Sequence, residues 1–244
     1  MSDLRPEFHH DIDALHDDVA RLGATVVELI PRVTDILLEQ DLEGAEYVIS
    51  GDDEIDARSI DIEERALTML ALQAPMARDL RQIAAALKLA PEIERSADLC
   101  VNLCKAARRI FGHNLDPKLR GLIQRLSDQA TQEYKEAVES YVVIDAVRAA
   151  ALDDMDDYLD DLHVEFIHQI FASHAAGTAD LQTCVQLAMV ARFYERLGDH
   201  AVNLSERVRY IGTGWLPEHE PVEHVEPHDT GASAEVGVSE PGES

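Results

Sequence analysis

Residues 80–104 read LRQIAAALKLAPEIERSADLCVNLC, and this stretch decides the fold class. Its apolar positions recur in alternating steps of three and four residues, which is the pattern of a helix with one buried face. An acid, Glu94, occupies one position of this otherwise apolar stripe. The stripe consists of Leu80, Ile83, Leu87, Ala90, Glu94, Ala97, Val101 and Cys104. The stretch therefore predicts a long helix that presents a carboxylate on its core-facing side.

The same periodicity extends through most of the chain on both sides of this stretch. Aromatic residues make up only 5% of the sequence, while alanine, leucine, isoleucine and valine dominate, which suits packed helices better than a sandwich or barrel. The pattern predicts six helices and an all-α fold. Their approximate bounds are 8–36, 44–73, 76–112, 117–144, 146–173 and 179–211.

An internal repeat relates the two halves of the chain. A shift of 101 residues superimposes two segments without a gap, and acids fall on acids. Asp52, Asp56, Glu94, Arg95 and Asp98 fall on Asp153, Asp157, Glu195, Arg196 and Asp199. A period this long excludes short solenoid repeats and indicates a duplicated unit. We predict two pseudo-symmetric three-helix bundles, one in residues 1–114 and the other in residues 115–212.

The composition changes after the last predicted helix. Residues 213–244 contain four prolines and eight acids, and no lysine or arginine follows Trp215. Such a segment has too little apolar surface to form a core. It is predicted to be a flexible, disordered acidic tail.

Charge and cysteine content restrict the class of function. The chain has 21 Lys plus Arg against 48 Asp plus Glu, a formal net charge of -27, which argues against direct binding to nucleic acid or anionic lipid. Its three cysteines lack the spacing of a disulfide framework or a thiolate zinc site. No signal peptide or membrane-spanning run is recognisable. We therefore expect a cytoplasmic protein that reaches a membrane only through partners.

Four acids in the first unit are predicted to meet. Residues four apart share one face of a helix, so Asp52 pairs with Asp56 and Glu94 pairs with Asp98. Asp56 and Glu94 both lie nineteen residues from Pro75, and Asp52 and Asp98 both lie twenty-three residues from it. In an antiparallel hairpin centred on Pro75, the four carboxylates would meet roughly 30 Å from the turn.

The second unit repeats this arithmetic around Ala176. Asp157 and Glu195 lie nineteen residues on either side of it, and Asp153 and Asp199 lie twenty-three. Facing acids without a cation repel each other, which favours bound metal over an ordinary solvated acidic face. Oxygen ligands alone select poorly among Mg²⁺, Mn²⁺, Ca²⁺ and iron.

Two further stretches carry a resemblance to a known family. They read QAPMARDLR at residues 73–81 and YERLGDHAVN at residues 194–203, and the first unit contributes Glu94-Arg95 followed by Asp98. Together with the duplicated acidic pairs, they resemble the PhoU family of phosphate-uptake regulators over residues 5–211. The resemblance implies a cytoplasmic, non-enzymatic protein of two three-helix bundles, often a homodimer, that binds multinuclear clusters of iron, zinc, manganese or magnesium.

The resemblance also implies ligands and partners. The metal ligands would be Asp52, Asp56, Glu94, Asp98, Asp153, Asp157, Glu195 and Asp199. Members act as negative regulators of the phosphate-starvation response, linking the ATPase subunit of the phosphate ABC transporter to a membrane sensor histidine kinase. The first unit departs from the family pattern, because Ser96-Ala97 replaces the usual Ile-Gly and Pro91 enters the helix before Glu94.

Two other functions stay open from the residues alone. A carboxylate-bridged metal oxidase or hydrolase is one, but di-iron bundles use Glu-x-x-His twice and this chain shows it once, at Glu165 and His168. A purely structural dimerising bundle is the other, and it would leave the acids as solvated faces. Metal content and binding partners distinguish the three.

Overall fold

The computed structural model describes residues 6–215. Within this range the chain is helical and contains no β-strand, which confirms the all-α prediction. The tail predicted for residues 213–244 lies outside the described residues from position 216 onward. The helices are α1 (Pro6–Glu39), α2 (Leu42–Ser50), α3 (Asp52–Gln73), α4 (Ala77–Arg109), α5 (Pro117–Val143), α6 (Ala146–Ala150), α7 (Leu152–Ala175) and α8 (Leu181–Thr213).

The six predicted helical segments are present, and two of them are interrupted. The segment predicted to begin at residue 44 divides into α2 and α3 at Gly51, and the segment predicted to begin at residue 146 divides into α6 and α7 at Ala151. Each break falls just before the first acid of a predicted quartet, so Asp52 and Asp153 lie in the first turns of α3 and α7. A helix N-terminus favours negative charge there.

Two three-helix units pack side by side. In the first unit α3 lies against α1 and α4, and in the second α7 lies against α5 and α8. The units join where α4 packs on α8 and α1 packs on α5, and one continuous hydrophobic core runs through both. The short helices α2 and α6 pack on α4 and α8 respectively. This is the pseudo-symmetric arrangement that the repeat predicts.

A buried hydroxyl cluster lies where the two units meet. Thr34 Oγ1 on α1 is 2.7 Å from Ser127 Oγ on α5 and 2.6 Å from Tyr194 Oη on α8. All three side chains are inaccessible to solvent. Hydrogen bonding satisfies polar groups that would otherwise be costly to bury, so the cluster fixes the relative position of three helices.

Helix α4 is continuous through Pro91, which keeps Glu94 and Asp98 on one helical face. None of the helices in residues 6–215 combines the length and the apolar composition needed to cross a membrane.

Candidate metal centres

The first acidic cluster lies between the N-terminal turns of α3 and the middle of α4. Asp52, Asp56, Glu94 and Asp98 are all half-buried. Burial raises the pKa of Asp52, and the charges of Asp98 and Asp56 raise it further. Burial likewise raises the pKa of Glu94, again with help from Asp98 and Asp56. The four acids therefore lie close enough to repel one another, as the hairpin arithmetic predicts; their role as ligands stays a prediction.

One oxygen of this cluster lacks a hydrogen-bond partner. Asp52 Oδ1 is buried and accepts no hydrogen bond from the described residues. The nearby cations are Lys105, which acts to lower the pKa of Asp52, and Arg95, which acts to lower that of Glu94. A buried carboxylate oxygen without a donor fits an incoming cation, and so does the all-oxygen donor set.

A cavity of about 410 Å³ opens beside Asp52, the one acid of the cluster that lines it. Gly51, Ile55, Val101 and Tyr47 also line this cavity. The Arg32 guanidinium stacks over the Tyr47 ring, with Cζ 4.9 Å from the ring centroid.

The second acidic cluster differs from the first. Asp153 is exposed at the start of α7, and its Oδ2 lies 3.9 Å from Arg209 Nη1. Asp157 and Asp199 are also exposed. Glu195 is half-buried, and one of its oxygens pairs with Arg192 while the other, Oε2, has no hydrogen-bond partner. The quartet predicted from spacing is therefore more open to solvent than its counterpart.

Asp156 and Glu133 are two acids of the second unit that sequence reasoning missed. Burial raises the pKa of Asp156 to about 6, aided by the charges of Asp160, Asp199, Asp157 and Glu195. Burial raises the pKa of Glu133, on α5, to about 8. A signal for Glu133 existed, because it lies on the three-and-four stripe of buried residues of α5.

The side chains as they stand do not form a closed coordination shell. Among residues 6–215, no group of three or more His, Cys, Asp or Glu side chains is arranged to hold a metal ion. Metal binding at either cluster therefore requires carboxylates to rotate inward from their helices. Asp and Glu side chains of the clusters are at most half-buried, apart from Glu133, so most of them have room to move.

The remaining candidates serve other roles. Glu165 Oε2 accepts a hydrogen bond from Arg125 Nη1 at 3.0 Å, and His168 is exposed, so the single Glu-x-x-His step contributes to neither acidic cluster. Cys100 and Cys104 are buried, and burial raises the pKa of both thiols. They are core residues in their neutral form.

Comparison with known proteins places both units in one family. The model of the PhoU domain matches residues 19–107 and 123–208, one match for each three-helix unit. The chain is 32% identical to the phosphate-specific transport system accessory protein PhoU homolog 1 of Mycobacterium leprae, over 90% of this chain and 98% of that protein. It is 27% identical to the PhoU homolog of Rhizobium meliloti, over 87% and 90% of the two chains.

Solved structures share the fold. The crystal structure of PhoU from Pseudomonas aeruginosa superimposes with a TM-score of 0.80 at 22% identity, over 86% of this chain and 100% of that one. PhoU from Streptococcus pneumoniae gives 0.79 at 22% identity, over 86% and 99%. Since the family model covers both units and the relatives match over nearly their whole length, this chain belongs to the PhoU family.

Proposed function

We propose that this protein is a metal-binding, non-enzymatic regulator of phosphate uptake in the cytoplasm. Family membership supports a role in phosphate transport, because the relatives are named as accessory proteins of the phosphate-specific transport system. In this role the protein acts as a negative regulator that links the transporter ATPase to a sensor histidine kinase. It works as a homodimer and contacts the membrane only through these partners.

The metal-binding part of the proposal rests on the first acidic cluster. Four half-buried carboxylates lie close together there, the pKa values of Asp52 and Glu94 are raised, and Asp52 Oδ1 has no hydrogen-bond partner. An empty cluster of this kind costs free energy through repulsion and desolvation. Divalent cations or iron would offset this cost, since carboxylate oxygens are the ligands that hard cations prefer. Asp52, Asp56, Glu94 and Asp98 would hold the ions and align α3 with α4.

Regulation follows from binding equilibria. A protein that offers different surfaces to the ATPase and to the kinase changes the output of the system when one complex is favoured over the other. In phosphate-rich medium the complex that restrains the starvation response persists. Metal in the clusters keeps the helices in the alignment that both partners recognise.

Metal content tests the site. Purified protein is stripped with chelator, refilled separately with Mn²⁺, Fe²⁺, Zn²⁺ or Mg²⁺, and analysed for metal per chain and melting temperature. We expect bound metal and a higher melting temperature. The double substitution Glu94→Gln and Asp98→Asn should remove the first centre. The double substitution Glu195→Gln and Asp199→Asn should remove the second centre. Glu64→Gln, at an exposed acid of α3, is the matched control. Protein that retains no metal and gains no stability would contradict the site.

Expression and partner capture test the regulatory role separately. Deletion of the gene should raise alkaline phosphatase or transporter expression in phosphate-rich medium. Affinity capture from cells grown in high and low phosphate should recover the transporter ATPase and the kinase in different proportions. Unchanged expression together with the absence of both partners would show that the protein has another role.

A further inference from the structure

A line of basic residues runs along one side of α4. Its members recur every seven residues, a spacing that drifts around a straight helix by only about 20° per repeat. No acid occupies the line, although the chain carries 48 acids against 21 lysines and arginines. We call this line the α4 basic stripe, and it consists of Arg81, Lys88, Arg95 and Arg109, with the polar Asn102 before the last of them.

The α4 basic stripe borders the groove between α4 and α8. Arg81 Nε donates to the Ile211 carbonyl at 3.2 Å, and Arg109 Nη1 donates to Gln186 Oε1 at 3.4 Å, so both ends of the stripe contact α8. Between these ends a cavity of about 340 Å³ lies in the groove. Its polar lining includes Lys88, Arg95, Glu92, Asn203 and Arg207.

The charges in this cavity are not balanced by its own acid. Lys88 is exposed and forms no ion pair with any other residue of the described range. Arg95 pairs with Glu92 at 3.1 Å, but 59% of its side chain is exposed. Glu92 is the one acid that lines the cavity, and it already accepts hydrogen bonds from His200 and Asn203. The groove therefore offers positive charge to a further acidic group.

The second unit does not add acids to the groove. A shift of 101 residues maps the α4 basic stripe onto a line of α8 that is also free of acids. That line consists of Gln182, Met189, Arg196, Asn203 and Tyr210. The excess of positive charge is thus a local feature of a chain whose net charge is -27.

The chain leaves α8 at one end of the α4 basic stripe. Gly214 ends the helix with φ +84°, and a Cβ placed on it would lie 3.7 Å from Arg81 Nη1. Residues 216–229 follow, and they contain five acids and no lysine or arginine. Extended at about 3.3 Å per residue, these fourteen residues reach about 46 Å. The stripe from Arg81 to Arg109 measures about 42 Å at about 1.5 Å per residue, so length and charge both match.

We propose that the acidic segment 216–229 of this chain docks along the α4 basic stripe, in the groove between α4 and α8. Exposed ion pairs are individually weak, so several must act together. The tether at Gly214 helps, because a segment joined by a short linker has an effective concentration in the millimolar range. While docked, the segment covers the groove and excludes an acidic segment of any partner. The inference does not depend on metal binding.

Carbodiimide cross-linking of the full-length protein tests the docking. The reagent joins a lysine amine to a carboxylate in contact with it, and mass spectrometry after digestion identifies the pair. We expect links from Lys88 to acids of residues 216–229, and their loss in about 1 M salt, where charges are screened beyond about 3 Å. Lys135 is the matched control, because it is exposed and lies eight residues from the end of α5, much as Lys88 lies eleven from the start of α4. Its links to the segment should be several times fewer.

Variants of the segment separate docking from random contact. The triple substitution Glu220→Gln, Glu223→Gln and Glu226→Gln leaves the carboxylates of Glu218 and Asp229 in place. Links from these two acids to Lys88 should nevertheless fall several-fold, because the segment has lost three of its five charges. The matched control makes the same change of charge farther along the chain, with Glu235→Gln, Glu240→Gln and Glu243→Gln, and should leave the links unchanged. None of these substitutions touches the helical core.

A mixture of isotope-labelled and unlabelled protein identifies the occupant of the groove. Links within one chain support the proposal. Links found only between labelled and unlabelled chains would show that the groove binds the segment of a second copy, and the proposal would be wrong. Equal yields at Lys88 and Lys135, or links that both triple variants reduce alike, would show that the segment has no preference for the α4 basic stripe and would also overturn it.

Discussion

Half-buried Glu92 and buried Glu133 differ in their hydrogen-bond donors. Burial tends to raise the pKa of Glu92, but hydrogen bonds from His200 Nδ1 and Asn203 Nδ2, each at 2.6 Å, outweigh it and hold the pKa at about 2. For Glu133, burial is opposed only by the amide of Gln129, and the pKa rises to about 8. Glu92 on α4 therefore contributes a stable link to α8, whereas Glu133 accepts one hydrogen bond, from Gln129.

Glu92→Gln should destabilise the protein, and the loss should depend on pH. The folded pKa of about 2 lies below the ordinary value of 4.5, so ionised Glu92 contributes stability above about pH 4.5 that is lost as the pH falls towards 2. The expected cost of the substitution at pH 7 is on the order of 2 kcal/mol. Denaturant unfolding in chelator between pH 7 and pH 3 should show the difference from the parent shrinking with acid. Glu64→Gln should show no such trend; an equal loss at every pH would mean that the charge of Glu92 is not what stabilises.

At the scale of helices, Asp116 caps the N-terminus of α5 and also links it to α7 by a hydrogen bond. Its Oδ1 accepts hydrogen bonds from the backbone N–H groups of Lys118 and Leu119, each at 3.0 Å, which is the geometry of an N-cap. Its Oδ2 accepts a hydrogen bond from Ser173 Oγ, near the end of α7. These bonds lower the pKa of Asp116 against the opposing effect of burial.

Asp116→Ala should lower the free energy of unfolding by about 1–2 kcal/mol, because it removes the cap and leaves Ser173 without its acceptor. Asp116→Asn should recover most of the loss, since asparagine caps helices as well as aspartate does. Urea unfolding of the three proteins measures the difference. If the alanine and asparagine variants are equally stable, capping is not the source of the effect.

The helices could be predicted from the sequence, but the burial of Asp156 and Glu133 in the second unit could not. The three-and-four periodicity indicates every long helix, and the repeat indicates that the units correspond. Equal distance from a turn gives the level of an acid along a helix. That level was enough to predict that Asp52 and Glu94 lie near Asp56 and Asp98. It does not give the rotation of α7 about its own axis, which leaves Asp156 half-buried and Asp153 exposed beside Arg209.

At the scale of the whole molecule, one hydrophobic core joins the two repeats. The core residues of α1 and α4 continue without a break into those of α5 and α8. The Thr34–Ser127–Tyr194 cluster lies at this junction. Separating the units would expose these side chains to water, so neither unit buries its hydrophobic surface alone.

This shared core predicts that residues 6–215 unfold as one cooperative unit despite the duplication. In calorimetry of metal-free protein, a single transition is expected, with the calorimetric enthalpy equal to the van't Hoff enthalpy. Tyr194→Phe removes a hydroxyl that contacts both units and should cost about 1 kcal/mol. Because the units unfold together, that loss should lower amide-exchange protection equally in α1 and in α8. Two resolved transitions, or lost protection confined to the second unit, would instead show that each repeat is an independent domain and that the junction contributes little to stability.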